Sequence, residues 1–336
     1  MKKYGVVLLQ LGGPDSLDAV EPFLYNLFRD PDIINFPLSF LFRKRLAKII
    51  AQKRSPKIRE HYHHMGGKSP ILELTEAQAK ALEEKLKDTI DVKIVIAMRY
   101  WKPFTDEAIQ ELKKEGITDI ILLPLYPQYS VSTTGSSINE WNRAVKRENV
   151  SHWNVKMVNE YSNHPDFIAS FVDRINEALD RFPAEKRDSV HLLFSAHGTP
   201  VKLVRKGDPY KYQIEDTVKE IMRNGKFVQD HTLCFQSRVG PEKWLEPFTD
   251  DTVERLGKEG IKNMLIIPVA FVSEHIETLF ELDVEVREIA EEHGVEQFEV
   301  MPALNDHPKY IDALADLTLS LIRKNKTKTE HQTART

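Results

Sequence analysis

Apolar residues fall along this chain in short runs, separated by longer stretches in which they recur every three or four positions. The runs at Tyr4–Leu11, Val92–Arg99, Asp119–Leu125 and Val155–Asn159 read as buried strands of a first half. Val190–Ser195, Thr232–Gln236, Met264–Val269 and Gln297–Met301 read as their counterparts in a second half. Strands that alternate with helices imply parallel sheets covered on both faces.

The alternation is an internal repeat. Pro103-Phe104-Thr105-Asp106 opens a helical pattern through Glu115-Gly116-Ile117 to the run Ile120–Leu125. Pro247-Phe248-Thr249-Asp250 opens another through Glu259-Gly260-Ile261 to Met264–Val269, in register and without a gap. In each copy Thr is the candidate N-cap, acids fill the first turn and Gly ends the helix. The expected architecture is therefore α/β, with two similar doubly wound, Rossmann-like domains over residues 1–165 and 166–305. A helix over 306–323 packs back on the first domain, and the apolar-poor tail Lys324–Thr336 is expected to be disordered.

Ligands of open α/β sheets bind at the carboxyl ends of the strands. His197 ends the run Leu192-Leu193-Phe194 within Phe194-Ser195-Ala196-His197-Gly198-Thr199-Pro200 and so belongs to such a rim. Alone, a strand-end histidine is more often a structural cap. The repeat adds to it: in register, Glu277 takes the position of Thr133 and His275 that of Val131. One copy keeps a neutral surface after its third strand, whereas the other carries acid and imidazole. Glu281 and Glu285 continue the acids at intervals of four, the spacing of one helix face. Histidine with carboxylate is an N/O ligand set suited to borderline divalent metals such as Fe²⁺.

Composition narrows the class. The 336 residues are 41% hydrophobic and 29% charged, with a net charge of −4, so no basic field attracts nucleic acid. Cys234 is the only cysteine, which excludes an internal disulfide and any cysteine-built zinc or iron–sulfur site. The apolar stretch Val6–Leu9 is too short for a signal peptide, and no run is long enough to span a bilayer.

The string Leu193-Phe194-Ser195-Ala196-His197-Gly198-Thr199-Pro200, with Gly207-Asp208-Pro209-Tyr210 downstream, resembles a signature of the ferrochelatases. Thr199 stands where a bulkier aliphatic residue is usual. Ser273-Glu274-His275-Ile276-Glu277-Thr278-Leu279-Phe280-Glu281 resembles the second signature, with Glu274 in place of Asp. Further segments follow in family order from about residue 4 to 320. They include Gln10-Leu11-Gly12-Gly13-Pro14, Gly66-Gly67-Lys68-Ser69-Pro70, Tyr126-Pro127-Gln128-Tyr129-Ser130 and Gln236-Ser237-Arg238-Val239-Gly240-Pro241.

The resemblance implies a chelatase-like fold and insertion of Fe²⁺ into protoporphyrin IX to form protohaem, with release of two protons. It assigns His197 to accept a pyrrole proton, and Glu277 to bind or deliver the metal or take the second proton. His275 supports Glu277, while Glu281 and Glu285 extend a delivery path. Arg54, Tyr62, Tyr126 and Trp244 match positions at the porphyrin pocket. Iron is then a substrate, with no permanently bound cofactor and no iron–sulfur cluster.

The apolar segment Ile33–Phe42, followed by Arg43, Lys44, Arg45 and Lys48, resembles the family's hydrophobic lip, about residues 33–50. Apolar and basic groups together fit an anionic bilayer surface. The resemblance thus implies a cytoplasmic protein held peripherally at the inner face of the membrane. It also implies contact with an upstream porphyrin-forming oxidase or an iron donor.

Other features carry less. His61, His63 and His64 read as exposed loop histidines, since no carboxylate cluster is near in sequence. Trp101, Trp141 and Trp153 read as packing residues, and Cys234 as a small buried hydrophobe. Gly12-Gly13 lacks the rest of a dinucleotide fingerprint. Two other functions remain: a chelatase for coproporphyrin III or another tetrapyrrole, and a carrier that binds without turnover. The apolar lip argues against the first, and the acid–imidazole asymmetry between repeats against the second.

Overall fold

The computed structural model describes residues 2–33, 39–238 and 242–333. The first half contains β1 (Lys3–Gln10), α1 (Val20–Arg29), α2 (Ser39–His64), α3 (Ile71–Leu86), β2 (Asp91–Met98), α4 (Thr105–Lys114), β3 (Asp119–Pro124), α5 (Ser136–Arg147) and β4 (Asn154–Met157). After α6 (Pro165–Leu179) come β5 (His191–His197), α7 (Val201–Arg205), α8 (Tyr210–Gly225), β6 (His231–Gln236), α9 (Thr249–Lys258), β7 (Asn263–Pro268), α10 (Val286–Glu292), β8 (Gln297–Val300) and α11 (Pro308–Thr333). All eight strands lie where the apolar runs predict them, within a residue or two.

Each half builds a four-stranded parallel sheet, in the orders β2-β1-β3-β4 and β6-β5-β7-β8. The two orders are the same pattern, so the sequence repeat is a repeat of topology. Alternation along each strand sorts side chains between two faces. Val6 and Leu8 of β1 point into a core shared with Leu192 and Phe194 of β5, together with Phe167, Phe171, Tyr310 and Leu314 of α6 and α11. Val7 and Leu9 pack outward on Ile109 and Leu112 of α4 and on Trp141. Leu193 does the same beneath Val253 and Leu256 of α9. Burying each such side chain stabilises the fold by about 1.5–3 kcal/mol, and the shared core joins both halves into one body.

The duplicated segment agrees down to peptide geometry, with Lys102–Pro103 and Glu246–Pro247 both cis. Gly116 (φ +67°) and Gly260 (φ +96°) take the left-handed conformation that ends α4 and α9. The caps differ from expectation. Phe104 and Phe248 are the N-caps, and Thr105 and Thr249 are the first helical residues. Both threonines are buried, so their hydroxyls serve the interior. Thr249 Oγ1 lies 3.0 Å from Ser195 Oγ and 3.3 Å from Cys234 Sγ. In the first copy the Glu107 carboxylate accepts from the Phe104 N–H at 2.6 Å.

α11 packs against α3 and β3 of the first half and against α6, with Lys85 to Asp312 at 2.5 Å fastening it. The backbone stays helical from Pro308 to Thr333, because neither Gly nor Pro interrupts residues 309–333. Of the expected lip, residues 34–38 lie outside the described residues. Phe42 and Ile49, seven apart on α2, are 60% and 53% exposed. No helix among the described residues is long and apolar enough to cross a membrane.

Candidate active site

The carboxyl rim of the second sheet gathers the predicted chemistry. His197 is the last residue of β5, and its Nδ1 lies 2.6 Å from the carbonyl of Gly198. A carbonyl only accepts, so Nδ1 carries the proton and Nε2 presents a lone pair. That atom stands 3.8 Å from Oε2 of Glu277. His275 repeats the arrangement: its Nδ1 donates to the Ser273 carbonyl at 3.1 Å, and its Nε2 lies 3.9 Å from Oε1 of Glu277. Two imidazole lone pairs therefore face one carboxylate, a set of acceptors that a proton or a cation would complete.

Burial sets the protonation states. It pushes the Glu277 carboxyl up to about 7, against weaker opposing hydrogen bonds from Ser237 and Gln236. Burial and the neighbouring Glu277 charge push Glu281 up to about 7. His275, packed on Phe271 at 4.5 Å, is pushed down to about 4 by burial. His197 keeps 38% of its side chain open to the cleft, while enclosure elsewhere lowers its pKa below the ordinary value. At neutral pH both imidazoles are neutral and Glu277 is poised between its two forms.

The acids do not lie on an α-helix as their spacing predicts. Residues Glu277–Glu285 form a π-helix, and α-helical winding begins only at Val286. Such wide turns recur at functional sites. The first half holds a shorter one at Val131–Gly135, overlapping it in the register of the repeat. Glu277 and Glu281 still share a side, for the Ser237 hydroxyl reaches both, at 3.5 and 2.8 Å. Glu285 lies farther out, 41% exposed, with Lys57 Nζ at 3.4 Å and His61 Nε2 at 3.8 Å.

His63 and His64 are exposed as expected, but the three histidines differ from the expected placement in two ways. They form the last turn of α2, not a loop. His61 is buried, stacked on Phe280 with ring centroids 4.1 Å apart, because the fold carries the Glu277–Glu285 segment against α2. The carboxylate that reaches its Nε2, at 3.8 Å, is Glu285, far off in sequence.

The predicted pocket residues divide. Trp244 lies beside His197, with centroids 6.5 Å apart. Tyr62 is buried, and burial together with the Glu277 and Glu281 charges holds its phenol well above the ordinary value. Arg54 is exposed on α2 over the ring of Phe28, and Tyr126 sits beside Ser137 and Arg99 on the first half. Neither makes a described contact with the His197–Glu277 pair.

Three supporting residues were not singled out from sequence. Ser195 Oγ donates to Gln236 Oε1 at 2.8 Å, which turns the Gln236 amide N–H₂ toward Glu277 Oε2 at 3.4 Å. Gln236 ends β6 and Ser237 follows it, so the strand-end rule that marks His197 would have marked both. Among the described residues, no group of three or more His, Cys, Asp or Glu is close enough to hold a metal as it stands. Two bonds of about 2.1 Å would span up to about 4.2 Å, so the 3.8 Å between His197 Nε2 and Glu277 Oε2 is within reach of one cation.

The ferrochelatase family model matches residues 3–321. The chain is 52% identical to the ferrochelatase of Aquifex aeolicus over 317 residues, covering 94% of this chain and 98% of that one. It is 49% identical to that of Geobacter metallireducens, with 94% and 98% covered. Among solved structures, SirB from Bacillus subtilis with Fe³⁺ shares the fold at a TM-score of 0.56 and 13% identity, covering 99% of this chain and 98% of SirB.

Proposed function

The chain belongs to the ferrochelatase family and is a metal-chelating enzyme of haem biosynthesis, and on that footing we propose that it inserts Fe²⁺ into protoporphyrin IX through the His197–Glu277 pair. The observation that carries this reading is the bare Nε2 of His197 facing Glu277 across 3.8 Å.

Metallation removes two pyrrole protons while the ion loses its water. His197 Nε2 accepts one proton, and the neutral ring that burial enforces is the form able to do so. Glu277, with a pKa of about 7, ionises at little cost near neutrality and either receives iron or takes the second proton. His275 supports it from the opposite oxygen. Glu281 and then Glu285 extend the carboxylates outward, a route by which a dication sheds water in stages. Trp244 and Tyr62 line the macrocycle, Tyr126 bounds it from the first half, and the Arg54 guanidinium holds a propionate. Bending the macrocycle to expose a nitrogen lone pair is strain of the kind that favours the transition state.

Exposed Phe42 and Ile49 support an apolar lip, and with it protoporphyrin over the more carboxylated coproporphyrin. The same lip, with its basic neighbours, supports peripheral attachment to an anionic membrane face and transfer from an upstream oxidase or iron donor. Anaerobic visible spectra with Fe²⁺ and either porphyrin test the reading. Turnover of protoporphyrin IX is expected to be lost in His197→Ala and Glu277→Gln while porphyrin binding survives. Near-normal turnover in either variant contradicts the assignment, faster coproporphyrin III turnover reverses the substrate, and stoichiometric binding alone leaves a carrier.

A further inference from the structure

The loop after β3 of the first half docks on the second half by a row of polar contacts. Gln128 Nε2 donates to Thr217 Oγ1 at 3.1 Å, and the Tyr129 N–H to Gln213 Oε1 at 2.7 Å. The row ends on Asp208, which is 5% exposed. Its Oδ2 accepts from Ser130 Oγ at 3.0 Å and from the Val131 N–H at 2.9 Å. Its Oδ1 accepts the Tyr210 N–H at 3.0 Å, at the first residue of α8, where a helix favours an anion.

Of the three docking residues on the second half, Asp208 is the one whose contacts lead through Tyr210 to the catalytic pair. The buried Tyr210 hydroxyl donates to the backbone carbonyl of His197 at 3.0 Å. It fixes the peptide that carries the imidazole just where the β5 ladder ends, beside Glu277. By the repeat, Ser130 and Val131 occupy the positions of Glu274 and His275. The segment that bears chemistry in the second half serves in the first to grip the loop behind His197.

We infer that Asp208 is a positioning residue: its buried carboxylate couples the docked first half to the backbone of His197 through Tyr210. The inference rests on the reading of His197 as the base. An amide cannot replace the carboxylate, because it offers one acceptor oxygen to two fixed backbone donors, the Val131 and Tyr210 N–H groups. One of them would face an N–H₂ group. Displacing a reacting group by a fraction of an ångström acts on turnover more than on binding.

The test is a double-mutant cycle on iron insertion by the full chain, with melting temperature recorded for every variant. Asp208→Asn is expected to lower kcat about 10–100-fold, the range of supporting-residue substitutions, with the KM for porphyrin little changed. Tyr210→Phe lowers kcat with little effect on melting. The double variant is no worse than the poorer single one, because both lie on one path. Thr217→Val, which breaks the same docking surface away from Asp208, lowers melting and leaves kcat intact. Additive losses, or an equal loss of kcat in Thr217→Val, overturn the inference. Should Asp208→Asn not fold, Tyr210→Phe decides alone, and an unchanged kcat there overturns it. Unimpaired turnover in His197→Ala would instead remove the reading of His197 itself.

Discussion

Ser237 adopts a left-handed backbone, φ +64°, and sets its hydroxyl 2.8 Å from Oε2 of Glu281. A non-glycine residue in that region costs about 1–3 kcal/mol, and here the hydroxyl reaches both buried carboxylates, opposing the rise that burial causes in each. Turnover that needs ionised Glu277 should fall as pH drops below about 7, with an apparent pKa belonging to the Glu277–Glu281 pair. Ser237→Ala removes a bond to the charged forms and is expected to move this acid limb upward by on the order of one pH unit. Glu281→Gln should leave a limb of a single proton. A pH–rate profile of kcat/KM checks both, and an unmoved limb in Ser237→Ala contradicts the assignment.

The same carboxylates should cost stability. Glu277 binds its proton with a pKa of about 7 when folded against the ordinary 4.5, so the folded chain holds a proton that the unfolded chain has released. Stability from this group therefore falls as pH rises from 4.5 towards 7 and is lost above it. Glu277→Gln is expected to be more stable than the parent above pH 7, by about 1–3 kcal/mol, and nearly equal to it near pH 4. Urea unfolding at the two pH values measures the difference.

At the outer end of the acids, Glu285 meets exposed Lys57 and the buried His61. A cation held there is partly screened, and exposed ionic contacts are worth no more than about 1 kcal/mol. Glu285→Gln should raise the KM for iron by about 2–5-fold, with the KM for porphyrin unchanged. Raised ionic strength should shrink the effect. A change in porphyrin KM alone would place Glu285 in the wrong role.

The exposed pair Phe42 and Ile49 predicts membrane binding that uses both apolar insertion and charge. Co-sedimentation with vesicles containing anionic lipid is expected, weakening with salt. Phe42→Ser with Ile49→Ser should reduce binding at least tenfold, since burying each side chain contributes about 1.5–3 kcal/mol. Equal sedimentation of the double variant argues that the face serves the porphyrin alone.

The local pattern of residues carried the two sheets, the repeat and the rim that holds His197 and Glu277. Each follows from short-range periodicity or from comparing one half of the chain with the other. Their facing at 3.8 Å was implied only by resemblance and required the sheet to bring β5 and the segment after β7 together. Tertiary structure alone decided three further features. The acids wind as a π-helix instead of the α-helix that their spacing of four matches equally well. His61 is buried against Phe280 because α2, some 200 residues earlier in the chain, packs there. Asp208 receives its donors from Ser130 and Val131 in the other half. Sequence periodicity reports which face of an element is apolar. Which polar groups meet across the shared core depends on contacts between residues far apart in the chain, and no local pattern encodes them.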